Sequence, residues 1–182
     1  MSSMQLLSRV DNNQLFVNDT VLRDRVLSVY FDNTRYLKSA NIFLDDNGAK
    51  SRIVSHGKFS VPESCYIEST GHFNSVEFNI CYNQIMYDAI AHATKYELVP
   101  QFCAWGTEGF FSRQLPDILI TSFNSRFTKP VNSVDFSGEF TIHTMRLHNK
   151  GQPFLFIKTG CRFFDDEQGE AVGEVDLAIL NP

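Results

Sequence analysis

The sequence predicts an α+β fold in which an antiparallel sheet packs around one long helix, and three features predict it. Residues 75–99 form the longest apolar segment of helical character, and Pro100 ends it because proline cannot continue a helix. Residues 36–44 and 49–60 have the composition of strands and flank Asp45-Asp46-Asn47-Gly48, which is a hairpin-turn signal. Alternating apolar runs separated by short polar turns follow at residues 117–127, 136–147, 154–164 and 172–180.

The segment before the first predicted strand contains a short helix. Residues 18–30 predict it, because Asp19 or Thr20 can cap it and apolar residues recur at helical spacing: Val21, Leu22, Val26 and Val29. Residues 1–17 are polar and predict a loosely ordered start. The length of 182 residues then predicts a single domain over residues 18–182.

The long helix is predicted to begin with a capping box, in which the side chains of Asn74 and Glu77 satisfy each other's backbone N–H groups. It is apolar nearly all round, as expected of a helix that is buried on most sides. The aromatic residues 101–116 that follow are predicted to be irregular. A long buried helix wrapped by an antiparallel sheet is the arrangement of the hot-dog fold, which we therefore expect.

Composition excludes several classes of function. Sixteen Lys and Arg against 21 Asp and Glu give a net charge of −5, which argues against nucleic-acid binding. No run approaches the roughly 18 apolar residues that a membrane span needs, and residues 1–10 lack the apolar core of a signal peptide. The four cysteines have no metal-ligand spacing, so we expect reduced thiols in a cytoplasmic protein without a metal or cofactor.

Polar residues concentrate where the long helix begins, within residues 63–77. A helix N-terminus presents unpaired N–H groups and about half a positive charge, which suits a carbonyl that develops negative charge. Tyr66, Asn74 and Asn83 can donate hydrogen bonds there. Each also has a structural interpretation: a phenol bonded to backbone, a helix cap, and an amide bonded to a neighbouring loop.

His72 has a competing catalytic interpretation. Gly71-His72-Phe73 resembles the start of the active-site motif of hydroxyacyl-ACP dehydratases, which are also hot-dog enzymes. Those enzymes need a proline next and an acid about four helical turns later, but Asn74 and Met86 occupy these positions. We therefore interpret His72 as a histidine at the helix entry, and dehydration is disfavoured.

Several segments between about residue 25 and residue 182 form a distinctive set. They are Arg25-Val26-Leu27 with Tyr30, Arg35-Tyr36-Leu37, Tyr66-Ile67, Ser69-Thr70-Gly71-His72-Phe73-Asn74 with Val76-Glu77, Cys81 with Asn83-Gln84, Ser125-Arg126-Phe127 with Lys129-Pro130, and Gly173-Glu174-Val175 with Leu177-Ala178. Together these segments resemble the FcoT-like acyl-CoA thioesterase family.

This resemblance implies a hot-dog enzyme that acts on long-chain acyl thioesters without a metal or a covalent nucleophile. It implies a site of two tyrosines and two asparagines, which Tyr66, Asn74 and Asn83 match directly. The second tyrosine falls on Tyr30, with Tyr36 as the alternative because the spacing between them is one residue shorter than in the family. The resemblance thus favours a functional role for Asn83 and Tyr66.

Two reactions follow from the resemblance. One is hydrolysis of long-chain fatty acyl-CoA or acyl-ACP thioesters. The other belongs to enzymes of isonitrile lipopeptide pathways, which add glycine to a (2E)-enoyl-ACP and release the acid. Both place negative charge on the thioester carbonyl oxygen, where the same donors would stabilise it. A non-catalytic acyl-binding module and an enoyl-thioester hydratase or dehydratase are the alternatives, and acyl chain length stays open.

The remaining candidate residues concern substrate binding. Arg126 and Lys129 could bind the phosphates of CoA or of a carrier-protein arm, or could be solvated charges, while His72 or Arg126 could hold the carboxylate of glycine. Five of the 17 Phe are assigned to the lining or lid of an acyl-chain tunnel: Phe73, Phe78, Phe102, Phe110 and Phe111. Four others are assigned to packing between the sheet and the helix: Phe140, Phe154, Phe156 and Phe163. Hot-dog proteins usually pair their sheets, so a homodimer or a ring of dimers is expected.

Overall fold

The computed structural model describes residues 8–10, 14–46 and 51–182. Its strands are β1 (Ser8–Val10), β2 (Gln14–Val17), β3 (Leu37–Asp46), β4 (Ser51–Phe59), β5 (Ile118–Lys129), β6 (Phe136–His148), β7 (Phe154–Phe164) and β8 (Glu170–Leu180). Its helices are α1 (Thr20–Leu27), α2 (Ser75–Lys95), α3 (Pro100–Cys103) and α4 (Gly106–Arg113), and one 3₁₀ turn spans Asp32–Thr34.

The strands form one antiparallel sheet in the order β1-β2-β3-β4-β6-β7-β8-β5. Strands β6, β7 and β8 follow each other as the predicted meander, and β3 pairs with β4 as the predicted hairpin. Strand β5 does not join the meander in chain order. It pairs with β8 at the far edge of the sheet, where Arg126 lies opposite Val172. The turn residues Asn47 and Gly48 lie outside the described residues.

Helix α2 is the predicted central helix, and its capping box is present in full. The side-chain oxygen of Asn74 accepts hydrogen bonds from the N–H groups of Val76 and Glu77, at 3.0 and 3.3 Å, and Glu77 accepts from Asn74 N–H at 3.2 Å. The helix contacts strands β3, β4 and β6 as well as α1, α3 and α4. A helix covered by a sheet on one side and by helices on the other needs no polar face, and this arrangement confirms the predicted hot-dog fold.

The helical layer differs from the prediction in two places. Helix α2 ends at Lys95 rather than at residue 99, because Glu97 adopts a positive φ of 52° that a helix cannot accommodate. Pro100 begins α3 instead of ending α2, since proline is well suited to the first turn of a helix. Residues 101–116, predicted to be irregular, contain α4. Its start has no side-chain cap, so the usual sequence signal is missing.

The first residues described belong to strands. The predicted loosely ordered start includes β1 and β2, and Val17 at the end of β2 pairs with Ile42 of β3 and is buried. The predicted short helix is confirmed as α1, with Asp19 as its cap accepting from Leu22 N–H at 3.0 Å.

The phenylalanines of the late strands divide between the two faces of the sheet. Phe140 and Phe163 are fully buried against α2, as predicted. The prediction was wrong for Phe154 and Phe156, because their neighbours Leu155 and Ile157 are on the buried face of β7 and side chains alternate between faces. Phe154 stacks on His148 instead, with ring centroids 4.7 Å apart.

Candidate active site

The first turn of α2 brings Tyr66 and Asn74 together. The hydroxyl of Tyr66 donates to the side-chain oxygen of Asn74 at 3.2 Å, and Tyr66 is half exposed. The same oxygen caps the helix, so the two N–H bonds of the Asn74 side-chain amide are not used by the cap. Helix capping and substrate binding are therefore compatible at Asn74, because they use different atoms of one side chain.

Asn83 lies further along α2, and its partner is another asparagine of the same helix. Its side-chain nitrogen donates to the side-chain oxygen of Asn79 at 2.8 Å, and both residues are half-buried. This bond differs from the structural interpretation of the sequence, which expected a partner in a neighbouring loop. Sequence reasoning overlooked Asn79, although two asparagines four residues apart in an apolar helix face each other.

Two tyrosines approach α2 from the segment between α1 and β3. Burial, followed by the neighbouring Tyr87 and Cys81, raises the pKa of Tyr30 above its usual value. Burial, followed by Cys65, Glu77 and Cys81, likewise raises the pKa of Tyr36. Both phenols are therefore neutral and able to donate.

The two tyrosines differ in exposure. Tyr30 is half-buried, whereas Tyr36 is 1% exposed, and its hydroxyl has the Cys65 thiol beside it but no partner of good geometry among the described residues. Because Cys81 neighbours both of them, the geometry keeps Tyr30 and Tyr36 as alternatives for the second site tyrosine.

A groove of about 400 Å³ opens at the N-terminus of α2. It is lined from the helix side by His72, Phe73, Asn74 and Ser75, and from the end of β5 by Phe127, Thr128, Lys129 and Pro130. Four predicted site residues thus share one groove: His72, Phe73, Asn74 and Lys129. Tyr66 and Asn83 are not among its lining residues, but Tyr66 is bonded to Asn74 directly. We call this feature the α2 groove.

Arg126 faces a different part of the molecule from Lys129. It lines a groove of about 480 Å³ together with Glu139, His143 and Arg162, on the face of the sheet away from α2. The charges there include both signs, and Arg162 also pairs with Glu170 at 2.7 Å. Only Lys129 is therefore placed beside the helix N-terminus, and the predicted role of Arg126 stays a prediction.

The predicted tunnel phenylalanines lie in two clusters. Phe73 and Phe78 are buried in an aromatic cluster with Phe127 and Phe163, with ring centroids 4.9 to 6.3 Å apart. Gly173 permits this packing, because a side chain there would come within 2.7 Å of the Phe78 ring. Of this cluster, Phe73 and Phe127 also line the α2 groove.

The second cluster belongs to the helical layer. Phe102 and Phe110 are fully buried, and Phe111 lies under the Arg25 guanidinium, 3.7 Å from the ring centroid. None of these three residues lines the α2 groove. Their assignment to a lid or tunnel stays a prediction.

The α2 groove offers hydrogen-bond donors and no obvious strong base. Glu77 is 2% exposed and is bonded to the Asn74 N–H in the capping box. Within the described part of the chain, no group of three His, Cys, Asp or Glu could hold a metal ion. The site can therefore polarise and position a carbonyl by means of neutral donors and the helix N-terminus.

A second polar cluster occupies the other end of α2. Asp88 and His92 are buried, and His92 joins α2 to α1 by accepting from Asp19 N–H at 3.1 Å and donating to the Asp88 carbonyl at 2.8 Å. Burial raises the pKa of Asp88 to about 8 and lowers the pKa of His92 to about 4. Both are thus predominantly uncharged near neutral pH.

Comparison with known proteins shows the family to which the chain belongs. The family described as FcoT-like thioesterase domain matches residues 25–179. A (2E)-enoyl-[ACP] glycyltransferase of Streptomyces coeruleorubidus is 44% identical over 91% of this chain and 99% of its own length. A protein of the same name from Mycobacterium marinum is 37% identical over 86% of this chain and 84% of its own.

Solved structures share the general shape at low sequence identity. A candidate thioesterase from Shewanella oneidensis is 10% identical, with a TM-score of 0.47, over 88% of this chain and 98% of that chain.

No helix in the described residues is long and apolar enough to cross a membrane.

Proposed function

Because the chain belongs to the FcoT-like thioesterase family, we propose that it adds glycine to a (2E)-enoyl group carried on an acyl carrier protein and then releases the acid. The observation that carries this proposal is the α2 groove, where the helix N-terminus, the amide of Asn74 and the charge of Lys129 meet. The names of the relatives supply glycine and the carrier protein as substrates to test.

The addition step needs a donor at the thioester carbonyl. The neutral amine of glycine forms a bond to the β-carbon of the enoyl group, and the double-bond electrons move toward the carbonyl oxygen as an enolate. The new ammonium then loses a proton and the α-carbon gains one, which leaves a β-amino thioester. Stabilisation of the enolate oxygen lowers the barrier of the first step.

Asn74 and Tyr66 are the proposed donors to that oxygen. The Asn74 amide has N–H bonds that the helix cap leaves unused, and the Tyr66 hydroxyl, half exposed, can turn from Asn74 toward a substrate. Asn83, oriented by Asn79, would position the acyl portion or the attacking group, and Tyr30 would close the site. Because no strong base is present among these residues, catalysis would rest on positioning and polarisation.

The carboxylate of glycine needs a cation, and the α2 groove provides Lys129. Its ammonium group lies at the end of β5, is exposed and donates to Gln168 at 3.0 Å. Because it is exposed, it can turn from Gln168 toward a bound carboxylate. His72 lines the same groove and can donate from its ring. These two residues replace Arg126 as the better-placed candidates, since Arg126 lines the groove on the other face of the sheet.

Release of the acid is the ordinary thioesterase reaction. Water adds to the thioester carbonyl, the oxyanion forms at the same donors, and the carrier thiol leaves as the carbonyl re-forms. The family description supports this half of the reaction, and hydrolysis of long-chain fatty acyl-CoA without glycine is therefore the second candidate function. A non-catalytic acyl-binding module is less well supported, because such a module has no need of the Tyr66–Asn74 and Asn79–Asn83 pairs.

We further propose a homodimer, or a ring of dimers, formed through β5. Among the described residues this strand pairs with β8 alone, and it is exposed along most of its length, with Leu119 40%, Ile120 36% and Phe127 38% exposed. A long exposed edge strand is a template for pairing with another chain. Because Phe123 of β5 contacts Phe78 and Tyr82 of α2, a second copy paired there would lie close to the proposed site.

A cytoplasmic location is also part of the proposal. All four cysteines are free thiols, and Cys65 and Cys103 are exposed. Exposed free thiols persist in reducing compartments, where acyl carrier proteins would be available as partners.

The direct test is product identification by mass spectrometry. The protein is incubated with a (2E)-enoyl-ACP with and without glycine, and in parallel with palmitoyl-CoA. We expect a glycine adduct, first on the carrier and then as free acid, only when glycine is present. Free fatty acid without any adduct would favour simple hydrolysis. Stoichiometric binding without turnover of either substrate would contradict the enzymatic proposal.

A further inference from the structure

Gln84 of α2 binds the segment that leads from the 3₁₀ turn into β3. Its side-chain oxygen accepts from the N–H groups of both Tyr36 and Leu37 at 2.9 Å, and its side-chain nitrogen donates to the carbonyl of Thr34 at 2.6 Å. The residue is 0% exposed. A single buried amide thus satisfies three backbone groups that lie about 50 residues earlier in the chain.

This segment carries both candidate site tyrosines and is braced internally. Arg35 donates from Nε to the carbonyl of Tyr30 at 3.1 Å, and Thr34 N–H donates to the carbonyl of Phe31 at 2.8 Å. These bonds tie residues 30–36 to one another, and Gln84 hydrogen-bonds the end of that segment to α2.

The attachment point lies beside Asn83 and the residues of α2 that neighbour Tyr30. Cys81 and Tyr87, which neighbour Tyr30, are one turn before and one turn after Gln84 on α2, and Asn83 is adjacent to it. A shift of the segment relative to Gln84 would consequently change where Tyr30 lies relative to Asn83.

We propose that Gln84 is a positioning residue, which holds the tyrosine-bearing segment in register with Asn83 for the thioester chemistry. The inference rests on the proposed function. The residue type fits the role, because accepting from two N–H groups while donating to a carbonyl requires a side-chain amide. A carboxylate of the same size cannot donate, and an apolar side chain would remove the partner of two buried N–H groups and of the part-buried Thr34 carbonyl.

A matched control exists in the same protein. Gln114 is also a buried glutamine, 1% exposed, and donates to the carbonyl of Val26 at 2.9 Å. It joins the end of α4 to α1 and contacts neither Tyr30 nor Tyr36 through a hydrogen bond among the described residues. Replacing it tests the loss of a buried amide bond without releasing the tyrosine segment.

The experiment compares Gln84→Met, Gln114→Met, Tyr30→Phe and the double variant Gln84→Met/Tyr30→Phe in the full chain. With enoyl-ACP and glycine, or with whichever thioester the wild-type protein turns over, we expect Gln84→Met to lower kcat by about 10²-fold with a smaller change in KM. The double variant should be no slower than the slower single variant, because both remove the same contribution. Gln114→Met should keep its kcat.

Several outcomes separate the possibilities. A folded Gln84→Met protein with wild-type kcat, or losses that multiply in the double variant, would overturn the positioning role while leaving the proposed function intact. A wild-type protein that turns over no thioester would defeat the proposed function, and the positioning role with it. If Gln84→Met does not fold, Gln84→Glu keeps the two accepting bonds but sets a carboxylate oxygen against the carbonyl of Thr34. A loss of kcat is then expected as well, and a folded Gln84→Glu protein with wild-type kcat would overturn the positioning role.

Discussion

The two halves of α2 both carry polar side chains, but they use them in opposite ways. In the first half, Asn79 and Asn83 are half-buried. Asn74 caps the helix through its side-chain oxygen, which leaves the two N–H bonds of its side-chain amide unused. In the second half, Asp88 and His92 are 0% and 1% exposed, and His92 is held by α1 and by its own helix. Polarity within an apolar helix therefore does not mark a site. The proposed site rests instead on donors that remain accessible to a substrate.

The largest effect expected from this contrast is at Asn83. Replacing Asn83 by Ala should lower kcat by about 10²–10³-fold, because the group proposed to position the acyl portion or the attacking group is lost. The control is Thr94→Val in the second half of α2, where the hydroxyl donates only to the carbonyl of Ile90 at 2.8 Å. Thr94→Val should keep its kcat. Equal losses in both variants would show that the two halves do not differ in function.

A somewhat smaller loss is expected at Tyr66. Tyr66→Phe removes the hydroxyl bonded to Asn74 and should lower kcat by about 10²-fold without changing the thermal midpoint by much, since Tyr66 is half exposed. Tyr96→Phe is the matched control. It removes a hydroxyl that donates to Asp19 at 2.9 Å and should lower stability while sparing kcat. The reverse pattern in kinetics and melting would contradict the division of α2.

The second half of α2 makes a prediction about pH and stability. Burial raises the pKa of Asp88 to about 8 from 3.8, so the folded protein holds this proton more tightly and the free energy of unfolding falls as pH rises between these values. Burial lowers the pKa of His92 to about 4 from 6.5, so its contribution rises with pH between 4 and 6.5. The two slopes oppose each other below pH 6.5.

A net loss of about 1 kcal/mol is therefore expected between pH 6.5 and 8, because Asp88 is half ionised by pH 8 and the rise from His92 is not yet complete at pH 6.5. Asp88→Asn should remove this loss, as measured by urea unfolding at a series of pH values. If wild type and Asp88→Asn have parallel stability profiles from pH 6.5 to 8, the neutral buried carboxyl is not present in the folded protein.

The smallest effect is expected at Lys129. Because its ammonium group is exposed, Lys129→Gln should raise the KM for glycine or for the carrier substrate only by a factor of about five or less. Raising the salt concentration should reduce the difference from wild type, since salt screens exposed charges. Arg126→Gln on the other face of the sheet is the control and should leave this KM unchanged. A larger change for Arg126 would move the anion site to that face.

The sequence predicted those helices and strands whose signals lie close together along the chain. The capping box of Asn74 and Glu77 and the helix that follows it were predictable, because their signals lie within a few residues of each other. The hairpin of β3 and β4 was predictable for the same reason. Helix α4 was missed, because no capping side chain precedes it.

Long-range placement could not be read from the sequence. Nothing near β5 indicates that it pairs with β8 at the edge of the sheet. This pairing decides which face of β5 packs toward α2, and Arg126 lies on the opposite face from Phe127, which lines the α2 groove. Gln84 was recognisable only as part of a family-like segment, since its partners Thr34, Tyr36 and Leu37 are about 50 residues away. The difference in burial between Asn83 and Asp88 likewise depends on long-range packing, because α1 contacts the second half of α2.

The most direct test of the central claim is a crystal structure with a non-hydrolysable enoyl thioester analogue bound through its pantetheine arm. The first half of α2 should hold the reacting group, so the carbonyl oxygen is predicted within about 3 Å of a donor from Asn74 or Tyr66, at the α2 groove. A carbonyl bound instead in the groove lined by Arg126, Glu139 and His143 would contradict that claim.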